Sequence, residues 1–197
     1  MKTSFEIDIS SESIKETKNK LKEILREESL FEGDFLLASG KRSNYYLDTR
    51  LTSLSPKGLY LISVLIWDII SKKDTQIHGV AGPSIGADPI ISGVSFFSQI
   101  MGNPLKAGLI RKENKAHGTA KLVEGPIKRG ENVVLLEDVV TSGGSSLKAL
   151  YALREHGCKV DELICLVLRD ENGKALLENE GGIKVTALFT AEELLKK

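Results

Sequence analysis

Hydrophobic and polar positions change their period along the chain. Between residues 13 and 28, Ile14, Leu21, Ile24 and Leu25 recur at helical spacing on one face, and the other face mixes both charges. That is the pattern of an amphipathic helix packed on a larger body. Ser13 followed by Glu16 suits a capping box at its start. Two β-prone runs come next, one from Phe31 to Leu37 and one from Tyr45 to Leu47, with Ser39-Gly40-Lys41-Arg42 between them. The Gly-containing break predicts a hairpin. Pro56 to about Lys73 reads as a mostly apolar helix, with the proline suited to its first turn.

Strands and helices then alternate. Ile77–Ala81, Ala107–Arg111, Asn132–Leu136, Val160–Leu168 and Ile183–Phe189 read as strands, and Ile90–Met101, Ser145–His156 and a short C-terminal segment as helices. Strands that are apolar along their whole length are buried on both faces, which requires a parallel sheet covered by helices. The alternation predicts an α/β architecture with right-handed crossovers. His156 precedes Gly157 at a helix end, where a cation suits the dipole; capping is its expected role. Lys112 to about Leu122 is the one long stretch without a period, and such loops inside a compact unit are functional or disordered. The length fits a single domain spanning 1–197, with about 1–55 as a helix and hairpin and about 56–197 as the core.

Composition narrows the function classes. The 197 residues hold 27 Lys+Arg and 27 Asp+Glu, a formal net charge of zero, which argues against a general nucleic-acid or membrane binder. Residues 12–28 carry five basic and five acidic side chains, so their helix is not a basic membrane helix. Cys158 and Cys165 have no metal-site spacing and are expected as core residues in a reducing compartment. The start, MKTSFEIDIS, has no apolar run of a signal peptide. Leu59 to Ile70 is too short and too polar to span a bilayer. A cytoplasmic protein is expected.

The chemistry concentrates where a strand meets a helix. Val133-Val134-Leu135-Leu136 runs into Glu137-Asp138, then Val139-Val140, then Thr141-Ser142-Gly143-Gly144-Ser145-Ser146. Ligands of open α/β sheets bind beyond the carboxyl ends of strands. A helix N-terminus there offers free N–H groups and a positive dipole end to a phosphate. The glycines allow close approach, and the hydroxyls add donors. Two acids beside an anion pocket must face another part of the same ligand, and ionised carboxylates are acceptors suited to sugar hydroxyls. A ribose 5-phosphate group answers both halves. A Walker A loop would need a lysine after the glycines, and a dinucleotide fingerprint would need G-x-G-x-x-G; neither is present. A second signal, Arg111-Lys112-Glu113-Asn114-Lys115-Ala116-His117-Gly118, opens the long loop. Residues 111–129 hold six Lys/Arg against Glu113 and Glu124. A cationic, weakly anchored loop beside a phosphate pocket is expected to act as a lid.

The strand–acid–acid–loop segment resembles the phosphoribosyl diphosphate (PRPP) motif of type I phosphoribosyltransferases. The resemblance implies a central, mainly parallel sheet flanked by helices, with an N-terminal hood over the base site. The pattern RK-x-x-K-x-HG is similar to the catalytic loop of the orotate phosphoribosyltransferases. Phe35 to Asp48 is similar to their hood, F-x-L-x-SG-x-x-S-x-Y. Ala81-Gly82-Pro83-Ser84-Ile85-Gly86-Ala87-Asp88-Pro89 is similar to their diphosphate loop, and Arg169 matches an arginine that pairs with the orotate carboxylate. The first motif alone implies a phosphoribosyltransferase; lid, hood and Arg169 together narrow it to orotate. The chain departs from the family's pattern at Glu137, where aspartate is more usual, and at Ala38 and Gly86, where members often carry lysine.

What the resemblance implies is transfer of ribose 5-phosphate from PRPP to orotate, giving orotidine 5′-phosphate and diphosphate in pyrimidine synthesis. Catalytic roles fall to Lys112, Lys115, His117 and Asp138. PRPP is implied to contact Arg111, Lys112, Lys115, His117, Glu137, Asp138, Val139, Val140, Thr141, Ser142, Gly143, Gly144 and Ser145. Orotate is implied to meet Tyr46, Leu47, Thr141 and Arg169. Mg²⁺ is the expected cofactor, held mainly by PRPP rather than by direct protein ligands. The family's loop reaches into the other subunit, so a homodimer is expected, with no nucleic-acid or membrane partner. The alternatives are a transferase for another base and a PRPP-binding regulator of the same fold.

Overall fold

The computed structural model describes residues 10–36, 40, 42–111 and 122–196. Helix α1 (Ser11–Ile24) begins one turn earlier than its apolar stripe suggests. Ser10 is the N-cap and accepts from the Ser13 N–H at 3.3 Å, while Glu16 pairs with Lys20. The expected Ser13–Glu16 box is therefore replaced by a cap at Ser10. A π-type turn (Leu25–Ser29) leads to the antiparallel hairpin β1 (Leu30–Leu36) and β2 (Arg42–Leu47). The short helix α2 (Arg50–Ser53) precedes α3 (Pro56–Ser71), where Pro56 stands in the first turn and Ser55 caps the Gly58 N–H.

The core alternates β3 (Gly79–Pro83), α4 (Asp88–Ile100), β4 (Lys106–Ile110), β5 (Val123–Glu124), β6 (Val133–Val140), α5 (Gly144–Glu155), β7 (Glu162–Leu168), α6 (Glu171–Asn179), β8 (Lys184–Thr190) and α7 (Ala191–Leu195). The sheet order is β5-β4-β3-β6-β7-β8, parallel throughout except for the short edge strand β5. The expected α/β architecture with a mainly parallel sheet is the one observed. Period-2 alternation divides the strands between two cores. Val134, Leu136, Ile164 and Leu166 pack with α1, α3, α4 and α7 on one face. Val133, Leu135, Leu163 and Cys165 pack with α5 and α6 on the other. Both cysteines are buried and reduced.

Three differences from the sequence expectation bear on the site. β3 lies two residues later than Ile77–Ala81. β6 does not stop at Leu136 but runs through both acids to Val140, because its ladder with β7 extends to the pair Val140–Leu168. Helix α6 was not expected, and only Gly173 and Leu177 of it are buried. The helix is started by Asp170, whose carboxylate accepts from the Asn172 N–H at 2.9 Å. Such a cap is a normal way to satisfy a free helix-end donor.

Candidate active site

The parallel strands end on one edge of the sheet, so the segments after β3, β4, β6 and β7 meet there. The winding direction reverses between β3 and β6. In open α/β sheets that switch point opens the crevice in which ligands bind. It is flanked by residues 84–87, after β3, and 141–143, after β6.

Strand β6 turns its two acids apart. Glu137 continues the Leu135 row toward α5; it is 5% exposed, and its Oε2 accepts from the Ser146 hydroxyl at 2.7 Å. Burial, reinforced by the neighbouring Asp138 charge, pushes its carboxyl up to about 8. Asp138 faces the crevice. Its Oδ2 accepts from the Thr49 hydroxyl at 3.1 Å, and the carboxylate lies against Gly86. A Cβ added at Gly86 would come within 2.4 Å of that oxygen. A lysine at 86 would thus push Asp138 from its seat, which gives a physical reason for that departure from the family pattern. Ala38 lies outside the described residues.

Beyond Val140 the chain turns into α5 through Gly143, which is left-handed at φ 77° and offers no side-chain cap. The first N–H groups of α5 are therefore not taken by a cap side chain, an arrangement suited to an anion. Thr141, Ser142 and Ser145 are exposed around them, and Gly144 is half-buried. Ser146 is buried, with its hydroxyl donated to Glu137. Val139 is half-buried; Val140 is buried in the core, and its carbonyl accepts from the Arg169 N–H at 2.8 Å. The loop rests on α6, since a Cβ added at Gly173 would meet the Thr141 carbonyl at 1.9 Å.

The cationic loop springs from the β4–β5 ladder. The Arg111 N–H donates to the Leu122 carbonyl at 2.9 Å, and its guanidinium lies 3.8 Å from Glu124. Lys112, Lys115 and His117 lie outside the described residues.

In the hood, strand alternation puts Ser43, Tyr45 and Leu47 on one face and Tyr46 on the other. Leu47 is buried in the core, and Tyr46 is partly exposed and packs on the Phe35 ring at 5.7 Å. Arg169, at the end of β7, crosses to the hood through Tyr45. Its guanidinium carbon lies 4.7 Å from that ring's centroid, and Nη2 donates to the Ser43 hydroxyl at 3.3 Å. Two further groups escaped sequence reasoning. Thr49 reaches Asp138, and Asp48 forks with Arg50 at 2.8 Å through both oxygens. The bond from Arg50 holds the Asp48 carboxyl below its ordinary range. The polar triplet directly after β2 was the only trace of them in the sequence.

Residues 56–190 match the phosphoribosyl transferase domain family. An orotate phosphoribosyltransferase of Aquifex aeolicus is 39% identical over 181 residues, covering 90% of this chain and 97% of that protein. The chain belongs to the orotate phosphoribosyltransferases. The corresponding enzyme of Pyrococcus furiosus is 39% identical over 173 residues, 88% of this chain and 92% of its own. Among solved structures, the Mycobacterium tuberculosis orotate phosphoribosyltransferase in complex with PRPP has a TM-score of 0.74 at 27% identity, covering 90% of this chain and 98% of that one.

In this transferase a cavity of about 300 Å³ also opens beside Lys72, Lys73, Asn132, Val133, Lys159 and Glu162. It lies at the strands' N-terminal ends, away from the crevice, and Lys73 is already paired with Glu162. Among the described residues no three His, Cys, Asp or Glu side chains gather as a metal site, and no helix is long and apolar enough to cross a membrane.

Proposed function

We propose that the chain transfers ribose 5-phosphate from PRPP to orotate in the crevice between β3 and β6. One observation carries this. Asp138 and the uncapped start of α5 belong to a single strand–loop–helix unit, so an acceptor for sugar hydroxyls and a donor set for a phosphate are held together. Asp138 holds the ribose hydroxyls and places negative charge beside the carbon that becomes oxocarbenium-like as diphosphate departs. Thr141, Ser142, Gly143, Gly144 and Ser145 hold the 5-phosphate. Glu137 contributes from behind, by fixing Ser146 in the first turn of α5. The diphosphate lies along the loop after β3 and is met by Arg111, Lys112, Lys115 and His117, with lid and core supplied by two copies of a homodimer.

Orotate nitrogen attacks the opposite face of the sugar. Arg169 forks the base carboxylate; Thr141 and the partly exposed Tyr46 form its surroundings, while the Leu47 side chain, expected there too, is buried in the core. A largely hydrated Mg²⁺ would be held mainly by the diphosphate of PRPP, with Asp138 close enough to meet it through water rather than as a direct ligand; when bound it would supply charge neutralisation on the leaving group. The exposed Leu51, Leu54 and Tyr60 supply apolar surface for self-association. The balanced charge argues against nucleic-acid or membrane partners, and two free, buried cysteines fit a reducing, cytoplasmic compartment, for an enzyme built as one domain of hood (about 1–55) and core (about 56–197).

The test is the absorbance of orotate mixed with PRPP and the purified chain. Orotate should be consumed with Mg²⁺ present, at a rate that collapses when the metal is chelated. Tight PRPP binding with orotate untouched would instead make the chain a sensor, and consumption of a purine in competition would make it a transferase for another base.

The support of the phosphate loop by α6 gives a second expectation. In Gly173→Ala the new methyl must displace the Thr141 carbonyl. The KM for PRPP should rise about tenfold, because small misplacements of a binding group are costly, while the KM for orotate moves little. Steady-state kinetics with each substrate varied in turn decides it; an unchanged PRPP KM would mean that α6 does not set the loop.

A further inference from the structure

We infer that Tyr45 is a positioning residue for base recognition, holding the Arg169 guanidinium in place before the substrate carboxylate arrives. The inference rests on the assignment of Arg169 to that carboxylate and adds what makes the assignment work in this chain. Tyr45 was not among the residues expected to face the base; Tyr46 and Leu47 were.

Arg169 begins one residue beyond β7, and its N–H is fixed to the Val140 carbonyl. Its side chain then leaves the core and spans the gap to the hood. There the guanidinium carbon lies 4.7 Å from the Tyr45 ring centroid. A guanidinium over an aromatic face is attracted by the ring quadrupole. That contact holds the guanidinium over the ring and leaves its N–H donors to bond elsewhere. Ser43 takes one of them at 3.3 Å. The Ser43 hydroxyl is itself oriented, because it donates to the Tyr45 carbonyl at 2.7 Å and so turns a lone pair to Arg169. Ser43 and Tyr45 act as one unit, since strand alternation in β2 puts them on the same face.

Among the described residues no carboxylate pairs with Arg169. Half-buried, held over the Tyr45 ring and fixed at one donor, it keeps its remaining donors for a planar anion. A free arginine side chain has many rotamers, and fixing it beforehand removes that ordering cost from the binding step. The hood therefore orients, through Tyr45, the core residue that reads the base.

The test is steady-state kinetics on Tyr45→Leu, Tyr45→Phe, Ser43→Ala, Arg169→Ala and the double variant Tyr45→Leu/Arg169→Ala. Tyr45→Leu should raise the KM for orotate about three- to thirtyfold, the range a cation–π contact of this kind supports, with the KM for PRPP within about twofold. Tyr45→Phe keeps the ring face and should stay within about twofold of wild type. Ser43→Ala keeps the ring and loses one bond, so it should shift orotate in the same direction by less, which preserves the test if the leucine variant folds poorly. In the double variant the leucine should add little to the Arg169→Ala loss, because its effect passes through the arginine. A full additional loss there, or equal rises in both KM values for Tyr45→Leu, would overturn the positioning role while leaving Arg169 at the carboxylate. An unchanged orotate KM in Arg169→Ala would overturn the carboxylate assignment itself, and this inference with it.

Discussion

Asp138→Asn should lower kcat/KM for PRPP by about 10²–10³, while the KM for orotate moves less than about threefold. The amide has the shape of the carboxylate, and its oxygen can still accept from the Thr49 hydroxyl that now holds Asp138 at 3.1 Å. The seat against Gly86 is also kept, since no atom is added. What disappears is the charge and one of two acceptors. The amide nitrogen presents N–H groups where ribose hydroxyls need lone pairs. The negative charge beside the developing oxocarbenium-like carbon is also lost. Initial rates with PRPP varied at saturating orotate measure the effect, and thermal unfolding verifies that the variant folds. Retention of kcat/KM within about tenfold would place the sugar somewhere other than this crevice.

The second large effect is on stability and comes from the neighbouring acid. Glu137 is buried against α5, its carboxyl is pushed up to about 8, and an unfolded glutamate titrates near 4.3. A folded-state value above the unfolded one means that the native chain holds a proton the unfolded chain has released. The contribution is complete below the unfolded value and is lost as pH rises through the folded one, a loss on the order of a few kcal/mol in total. Wild-type urea midpoints should therefore fall between pH 5.5 and 8.5. In Glu137→Gln, which stays neutral and keeps an oxygen for the Ser146 hydroxyl, they should fall much less, and at pH 8.5 the variant should be the more stable protein. Comparing the two cancels the groups held below their ordinary range, such as Glu131 and Glu162, which lose their contribution only in acid. Parallel curves for the two proteins would show that Glu137 ionises in the native state without penalty.

Both effects stem from one feature of β6. From the sequence, the pair of acids looked like a turn motif in which both side chains could face the same sugar. The strand continues through them because Leu135 to Val140 remain in the ladder with β7. In an extended strand, neighbours face opposite sides. That alone separates a buried, proton-holding Glu137 from a crevice-facing Asp138. The same rule separates Tyr45 from Tyr46 in the hood.

Much else was readable in advance. Continuous apolar strands alternating with amphipathic helices specified the layered parallel sheet, because a strand buried on both faces carries few polar positions. The glycine and hydroxyl run after β6 specified an anion-binding helix start, because that property is local to a few consecutive residues. Thr49 against Asp138, Gly173 under Thr141, and Arg169 on Tyr45 were not readable. Each joins segments far apart in the chain, and neither residue of a pair carries a local signal of the other. Composition, periodicity and local backbone chemistry act over a few residues and are written in the sequence. The direction in which each side chain of the crevice points depends on strand register and on how the hood settles over the core, and only the folded chain decides that.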